Sequence, residues 1–380
     1  MARQLAPVRD QRMRRSLAAA ALAFAVFALG ASQGATSHGA RADDESFILG
    51  VIPQQDPLGS DFRAMVNGGV RSLRLAVFWP RVEPEFGAMD WSSYDTLVGR
   101  AARHGVTVFP YLYGTPSWAA HYDGIDCSND CSIYAPQTSA TRGGFAFFAS
   151  EAVRQYGPGG QYWAAHPDLP YRPIRTWQVW NEQNSSKYFA PESDVGSYAA
   201  LLGRTAEAIR SVDPRAEIVL GGMWGPDGSS EVIPTSTYLS RLYRQPGGRE
   251  SFDSIALHPY SSNPPGMLEQ IRSARRAARR AGDGKAALWI TELGWASKGP
   301  SDHYLVKGRR GQADRLDEAF SALLQRRERW RLRGAYWYAW RDTEPTADYI
   351  CAWCPGAGLR TVSGDAKPAW RKLKRLARGS

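Results

Sequence analysis

The sequence predicts an α/β chain folded as a single-domain (β/α)8 TIM barrel, and three observations lead there. Strand-like and helix-like segments alternate eight times over about 340 residues, as eight strand–helix units require. No Gly-rich phosphate loop follows the first strand, so the rival doubly wound sheet, which usually has fewer strands, lacks its signature. Two of the strand-like segments, Arg175 to Glu182 and Ala286 to Glu292, close an apolar run on a glutamate, which is where a barrel strand opens into its mouth.

In chain order, the apolar run Ser46 to Pro53 reads as the first strand and Asp61 to Gly69 as its helix. Ser72 to Trp79 is the second strand, and Ser93 to Gly105 a helix that a glycine ends. Thr107 to Tyr113 and Gly144 to Tyr156 form the third unit. Arg175 to Glu182 is the fourth strand, and its helix, Val195 to Val212, stops at Asp213-Pro214, because proline cannot continue a helix. Glu217 to Met223 with Thr237 to Arg244, and Ser254 to Tyr260 with Met267 to Ala281, are the fifth and sixth units. Ala286 to Glu292 with Gln312 to Arg329, and Leu332 to Trp340 with Ala369 to Ala377, complete the set. The longest connections follow strands three, five and eight, so enlarged loops are expected on the face that carries function in such barrels.

The N-terminus differs from this body. Arg3, Arg9, Arg12, Arg14 and Arg15 precede the apolar run Leu17 to Leu29, and small residues follow to Ala40-Arg41-Ala42. This pattern is that of a secretory signal cleaved after Ala42, giving a domain over residues 43–380 outside the cell and no stable membrane insertion afterwards. The whole chain carries +10. Removing the leader's six arginines and one aspartate leaves about +5. The remaining basic stretches have helical apolar spacing and read as solvated outer faces, with no module for nucleic acid. Export makes disulfides the default for Cys127, Cys131, Cys351 and Cys354; local bridges are close at hand, and cross-pairing stays open.

Side-chain alternation puts Gln178, Trp180 and Glu182 on one face of the fourth strand, and Leu288, Ile290 and Glu292 on one face of the seventh. Both acids are therefore expected at the barrel mouth, where two carboxyl groups can divide the cleavage of a glycosidic bond. Arg74 interrupts an apolar strand, and a buried arginine needs an anionic partner such as a mouth carboxylate. Tyr260, closing Leu-His-Pro-Tyr with His258, offers a hydroxyl to the same acid, and the Asn181 amide can reach a sugar hydroxyl. Trp79, Trp118, Trp180, Trp295 and Trp340 stand at or near strand ends, where flat rings suit the C–H faces of sugars. Trp177, Trp289 and Trp330 read as core, and Trp340 as the best sugar platform. No cofactor or metal is expected, because the six histidines show no ligand spacing and the acids lack a histidine nearby in sequence.

Taken together these residues resemble clan A of the retaining glycoside hydrolases. Asn181-Glu182 ends the fourth strand, Ile-Thr-Glu292-Leu-Gly-Trp the seventh, and Arg74, His258/Tyr260 and Trp340 complete the clan's set. Arg81-Val-Glu-Pro84 with Asp90-Trp91, and Tyr113 to Ala119, look like the xylosidase/iduronidase family and related bacterial exopolysaccharide hydrolases, with cellulase-like members second. Gln183 departs from the proline that this family often has after the glutamate. The resemblance implies double displacement on a poly- or oligosaccharide, with Glu292 as nucleophile and Glu182 as acid/base, and carboxyl groups roughly 5 Å apart. The rival functions are a non-catalytic carbohydrate-binding or cell-wall barrel, and a transglycosylase.

Overall fold

The computed structural model describes residues 47–127, 131–229, 231–345 and 351–378, and the expected leader over residues 1–42 lies outside them. Eight parallel strands close in sequence order: β1 (Ile48–Ile52), β2 (Ser72–Phe78), β3 (Thr107–Tyr113), β4 (Thr176–Val179), β5 (Glu217–Leu220), β6 (Ser254–Leu257), β7 (Ala287–Leu293) and β8 (Leu332–Tyr338). β8 pairs back onto β1 from Ile48↔Gly334 to Ile52↔Tyr338, so no edge is left. One main helix follows each strand: α1 (Gly59–Asn67), α2 (Ser92–Arg103), α3 (Ser139–Tyr156), α4 (Val195–Val212), α5 (Thr235–Leu242), α6 (Pro264–Arg280), α7 (Gly308–Leu324) and α8 (Pro368–Leu376). The expected (β/α)8 barrel is the observed fold.

Local chemistry fixes the helix ends. Thr138, Asp194 and Asn263 accept a backbone N–H at the starts of α3, α4 and α6, and α6 and α8 begin with proline, whose missing N–H costs nothing there. α4 stops at Val212, as Asp213-Pro214 requires. Short helices not foreseen from sequence sit in the loops, at Trp79–Val82, Ser117–Tyr122 and Gln161–Ala165. Among the described residues no helix is long and apolar enough to cross a membrane.

Two apolar layers hold the barrel. Ile52, Phe109, Val219, Ala256, Trp289 and Tyr336 fill its interior. Alternate strand residues such as Leu73, Val179, Ile218, Leu288 and Ile290 pack outward under Phe145, Leu201, Ile271 and Phe320 of the helices. Glu217 sits at the base, where its carboxylate accepts from Thr176 Oγ1 (3.1 Å), Trp289 Nε1 (3.0 Å) and Ser254 Oγ.

This layering corrects the alternation expected for both acid-bearing strands. Leu288 and Ile290 belong to the outer layer and Trp289 to the interior, so strict alternation would turn Glu292 outward. A register irregularity between Ile290 and Leu293 resets the phase. β4 ends at Val179, and Trp180 (φ 70°) and Glu182 (φ 51°) take left-handed conformations. Trp180 therefore packs outward on Tyr113, Phe145 and Phe189, not on the face of Gln178. Trp177, Trp289 and Trp330 are buried, as expected of core residues.

The connections after β3 (114–138) and β8 (339–367) are the longest. The one after β5 (221–234) is no longer than that after β4 (180–194), because β4 stops before the run that looked like strand. Cys127–Cys131 bridges within the β3 loop and Cys351–Cys354 within the β8 loop, so the pairing is local in both.

Candidate active site

Arg74 is the organising residue. It projects from β2 with no exposed surface, and each of its donor groups has a partner. Nη1 donates to Glu292 Oε1 (2.7 Å), Nη2 to Asn181 Oδ1 (2.7 Å) and Nε to Gln178 Oε1 (2.9 Å), while the guanidinium lies 4.2 Å from the Tyr111 ring centroid. The planar fork of arginine suits this three-way binding, which a lysine point charge cannot reproduce. Arg74 only donates, so it turns the Asn181 oxygen toward itself and leaves the amide N–H groups for the cavity.

Glu292 receives its second donor from Tyr260, whose hydroxyl lies 2.8 Å from Oε2. Burial, and after it the Glu292 charge, pushes the Tyr260 phenol well above its usual value, so it remains a donor. Each Glu292 oxygen thus has one strong donor, an arrangement suited to a carboxylate. Glu182 stands in a different environment. Burial first, and then the neighbouring Glu292, raise it well above the ordinary carboxylate range, although Arg74 and Lys187 pull it down. Its Oε1 lies 2.7 Å from His258 Nδ1. Burial and Arg74 hold His258 well below the usual histidine value, so the ring is neutral. The carboxylate oxygens of Glu182 and Glu292 approach within 4.8 Å.

His258 reaches this position because β5 continues into Gly221-Gly222. A Cβ at Gly222 would lie 2.0 Å from His258 Nε2, so only glycine leaves room for the imidazole. Gly222→Ala is expected to displace His258 and lower kcat/KM roughly 100-fold while the barrel still folds. Steady-state kinetics beside circular dichroism checks both halves.

The two acids open into a cavity of about 480 Å³ at the C-terminal ends of the strands. Tyr111, Tyr188, Trp224, Tyr338 and Trp353 give it an aromatic wall, and Trp353 is braced between Tyr260 (5.2 Å) and Tyr338 (5.6 Å). The loop aromatics were not legible from sequence. Tyr338 had a signal: it lies two residues beyond the interior Tyr336 on the same strand.

The tryptophans expected to face sugar lie elsewhere. Trp340 is 2% exposed; its indole donates to Asp61 Oδ1 (2.9 Å) and meets Trp370 edge-on, beside a separate hollow of about 160 Å³. β8 ends at Tyr338, so Tyr338 takes the mouth position expected for Trp340. Trp79 and Trp118 donate to the Glu83 carboxylate (2.7 Å) and carbonyl (3.0 Å) and form a structural knot. Trp295 is 1% exposed and tied to the Ser261 carbonyl. The structure thus unites Arg74, Asn181, Glu182, His258, Tyr260 and Glu292, and leaves Trp79, Trp118, Trp180, Trp295 and Trp340 outside the cavity.

His258 also corrects the expectation that the acids lack a histidine neighbour. Glu182, His258 and Glu292 bring one ligand atom each within 4.8 Å of the others. A divalent ion there would meet Arg74, already 2.7 Å from Glu292 Oε1, and would displace Glu182 from His258 Nδ1. Activity is accordingly expected to survive EDTA unchanged, and recovery only on metal addition would refute this.

No protein-family model matches the chain, and no curated protein matches it. Solved structures do. A family 39 glycoside hydrolase from the gut symbiont Bacteroides cellulosilyticus WH2 superposes with a TM-score of 0.66 at 20% identity, over 88% of this chain and 64% of that one. A family 39 β-xylosidase from Caulobacter crescentus gives 0.63 at 18%, over 87% and 71%. An exo-β-1,4-mannosidase from Opitutaceae bacterium strain TAV5 gives 0.59 at 18%, over 88% and 59%. The chain therefore spans less than two thirds of the first and third of these proteins, and what it shares with all three is the fold.

Proposed function

We propose that this chain is an exported retaining glycoside hydrolase acting on a poly- or oligosaccharide. The observation that carries the reading is the unlike pair. One carboxyl group is held by an arginine and a tyrosine, the other is raised by burial, and their oxygens lie within 4.8 Å. A retaining pair needs roughly 5 Å between carboxyl groups, whereas an inverting pair stands farther apart to hold a water. The clan A resemblance and the fold shared with glycosidases support the same reading. Two local disulfides and the leader pattern fit export.

In the first step a Glu292 oxygen attacks the anomeric carbon while Glu182 gives its proton to the departing glycosidic oxygen. In the second, Glu182 takes a proton from water, whose oxygen displaces Glu292 from the sugar. His258 engages Oε1 of Glu182, which leaves Oε2 for the leaving group and the water. The Asn181 amide and the aromatic wall would seat the sugar.

Screening chromogenic glycosides and polysaccharides for turnover tests the activity, and the anomer first released tests retention. Absence of turnover on every substrate, with glycan binding intact, would leave a lectin-like barrel. The raised value of Glu182 sets the alkaline side of the profile. Protonated Glu182 is the working form, so kcat/KM should fall as pH rises through its raised value. Glu182→Gln should remove that limb and slow poor leaving groups roughly 100- to 10,000-fold, while activated aryl glycosides suffer less.

A further inference from the structure

A second cavity, of about 610 Å³, lies at the opposite end of the barrel. It is built at the N-terminal ends of the strands: Thr176, Glu217, Ser254 and Ala287 are the first residues of β4 to β7, and Arg331 immediately precedes β8. Its lining carries six cations, Arg175, Arg210, Arg215, Lys285, Arg331 and Arg333, against two carboxylates, Glu217 and Asp253. Arg175 is paired with Asp213 (3.2 Å) and Arg210 with Asp253 (3.1 Å). Among the described residues, the exposed side chains of Arg215, Lys285 and Arg331 have neither an ion pair nor a hydrogen bond. Glu217 cannot serve them, because both its oxygens already accept from Thr176, Ser254 and Trp289.

The base of such a barrel ordinarily serves stability, yet unpaired like charges around one concavity repel one another and oppose it. We propose that this basic bowl binds the anionic groups of an acidic polysaccharide, as a non-catalytic site distinct from the mouth. Its concave floor focuses the field of the surrounding cations onto a polyanion entering it. The lining contains no aromatic residue on which bases could stack and no large apolar side chain to enter a lipid surface. Recognition therefore rests on charge, through carboxylate, sulfate or phosphate groups alike. That the polyanion is a polysaccharide rests on the hydrolase reading; the excess of cations does not.

The test is equilibrium binding of the full chain to immobilised alginate and to neutral dextran, with inorganic phosphate as a competing free anion. Alginate should bind, dextran should not, and binding should vanish near 1 M salt, where screening acts within about 3 Å. The triple variant Arg215→Glu/Lys285→Glu/Arg331→Glu should bind alginate about tenfold more weakly or worse, and should keep its turnover of a small chromogenic glycoside. A control, Arg279→Glu/Arg280→Glu/Arg310→Glu, changes the net charge equally on exposed helical positions and should stay within about twofold of the parent. The proposal is overturned if the bowl variant binds as the parent does, if both triple variants weaken equally, or if phosphate alone occupies the site. Binding requires no turnover, so a chain inactive on every glycoside would sink the hydrolase reading and leave this measurement standing.

Discussion

Replacing Glu292 by alanine is expected to lower kcat roughly 10⁴- to 10⁶-fold, the scale on which removing a covalent nucleophile acts. A 2-fluoro glycoside should label the parent at Glu292 and leave the variant unlabelled. Azide, small enough to enter the space left behind, should restore turnover and give a glycosyl azide of inverted configuration, because it attacks from the nucleophile's side. Loss of activity alone would be ambiguous, since the change also strips Arg74 of its only carboxylate partner among the described residues. Glu292→Gln keeps the volume and a hydrogen-bond acceptor and should be equally unlabelled with a smaller fall in Tm. Labelling at another residue in the parent would refute the assignment.

The second large effect is expected at Arg74. Arg74→Met keeps much of the aliphatic bulk but leaves Glu292 with Tyr260 alone, and removes the donors that fix Asn181 and Gln178. Breaking a buried pair by deleting one partner costs about 3–5 kcal/mol, and the partial exposure of Glu292 places this case toward the lower end. Activity should fall further than stability, because one side chain positions both Glu292 and the Asn181 amide. Arg74 also draws the Glu182 value down, so the alkaline limb of residual activity should move to higher pH. Arg74→Lys should rescue stability better than activity, since a single ammonium cannot span three acceptors. Chemical denaturation and pH–rate profiles separate these outcomes.

Glu182 itself works against the fold as pH rises. Its native value lies above the unfolded one, so its favourable contribution is complete below the ordinary carboxylate range and is lost as pH climbs through the raised value. Glu182→Gln should flatten stability over that window. The burial that raises Glu182 thus works against stability in the upper part of the pH range.

The sequence made the barrel legible because eight apolar runs recur at strand–helix spacing and several breaks carry their own chemistry, as Asp213-Pro214 does. It showed both glutamates as strand-end acids, and Arg74 as an arginine in an apolar strand. Side-chain alternation does not account for their direction. β4 stops at Val179, β7 is rephased before Leu293, and irregular backbone points both acids inward. Alternation cannot foresee a bulge or a left-handed turn at tryptophan. The tryptophans misled for another reason. A large ring buries equally well under a helix or beside a ligand, and sequence does not say which. The wall was assembled instead from Tyr111, Tyr188, Trp224, Tyr338 and Trp353, which chain distance separates and folding unites.

The filled interior of the barrel has one more implication. Trp289, Phe109 and Tyr336 crowd the lumen, and the Glu217 hydrogen bonds close the base beneath them. The hollow above Glu182 and Glu292 is therefore a cul-de-sac. On the proposed hydrolase reading, a sugar released at its deep end would leave by the route through which the next one arrives, so entrance and exit are one door. Turnover then depends on traffic at that door, and an accumulating product stands in the path of new substrate.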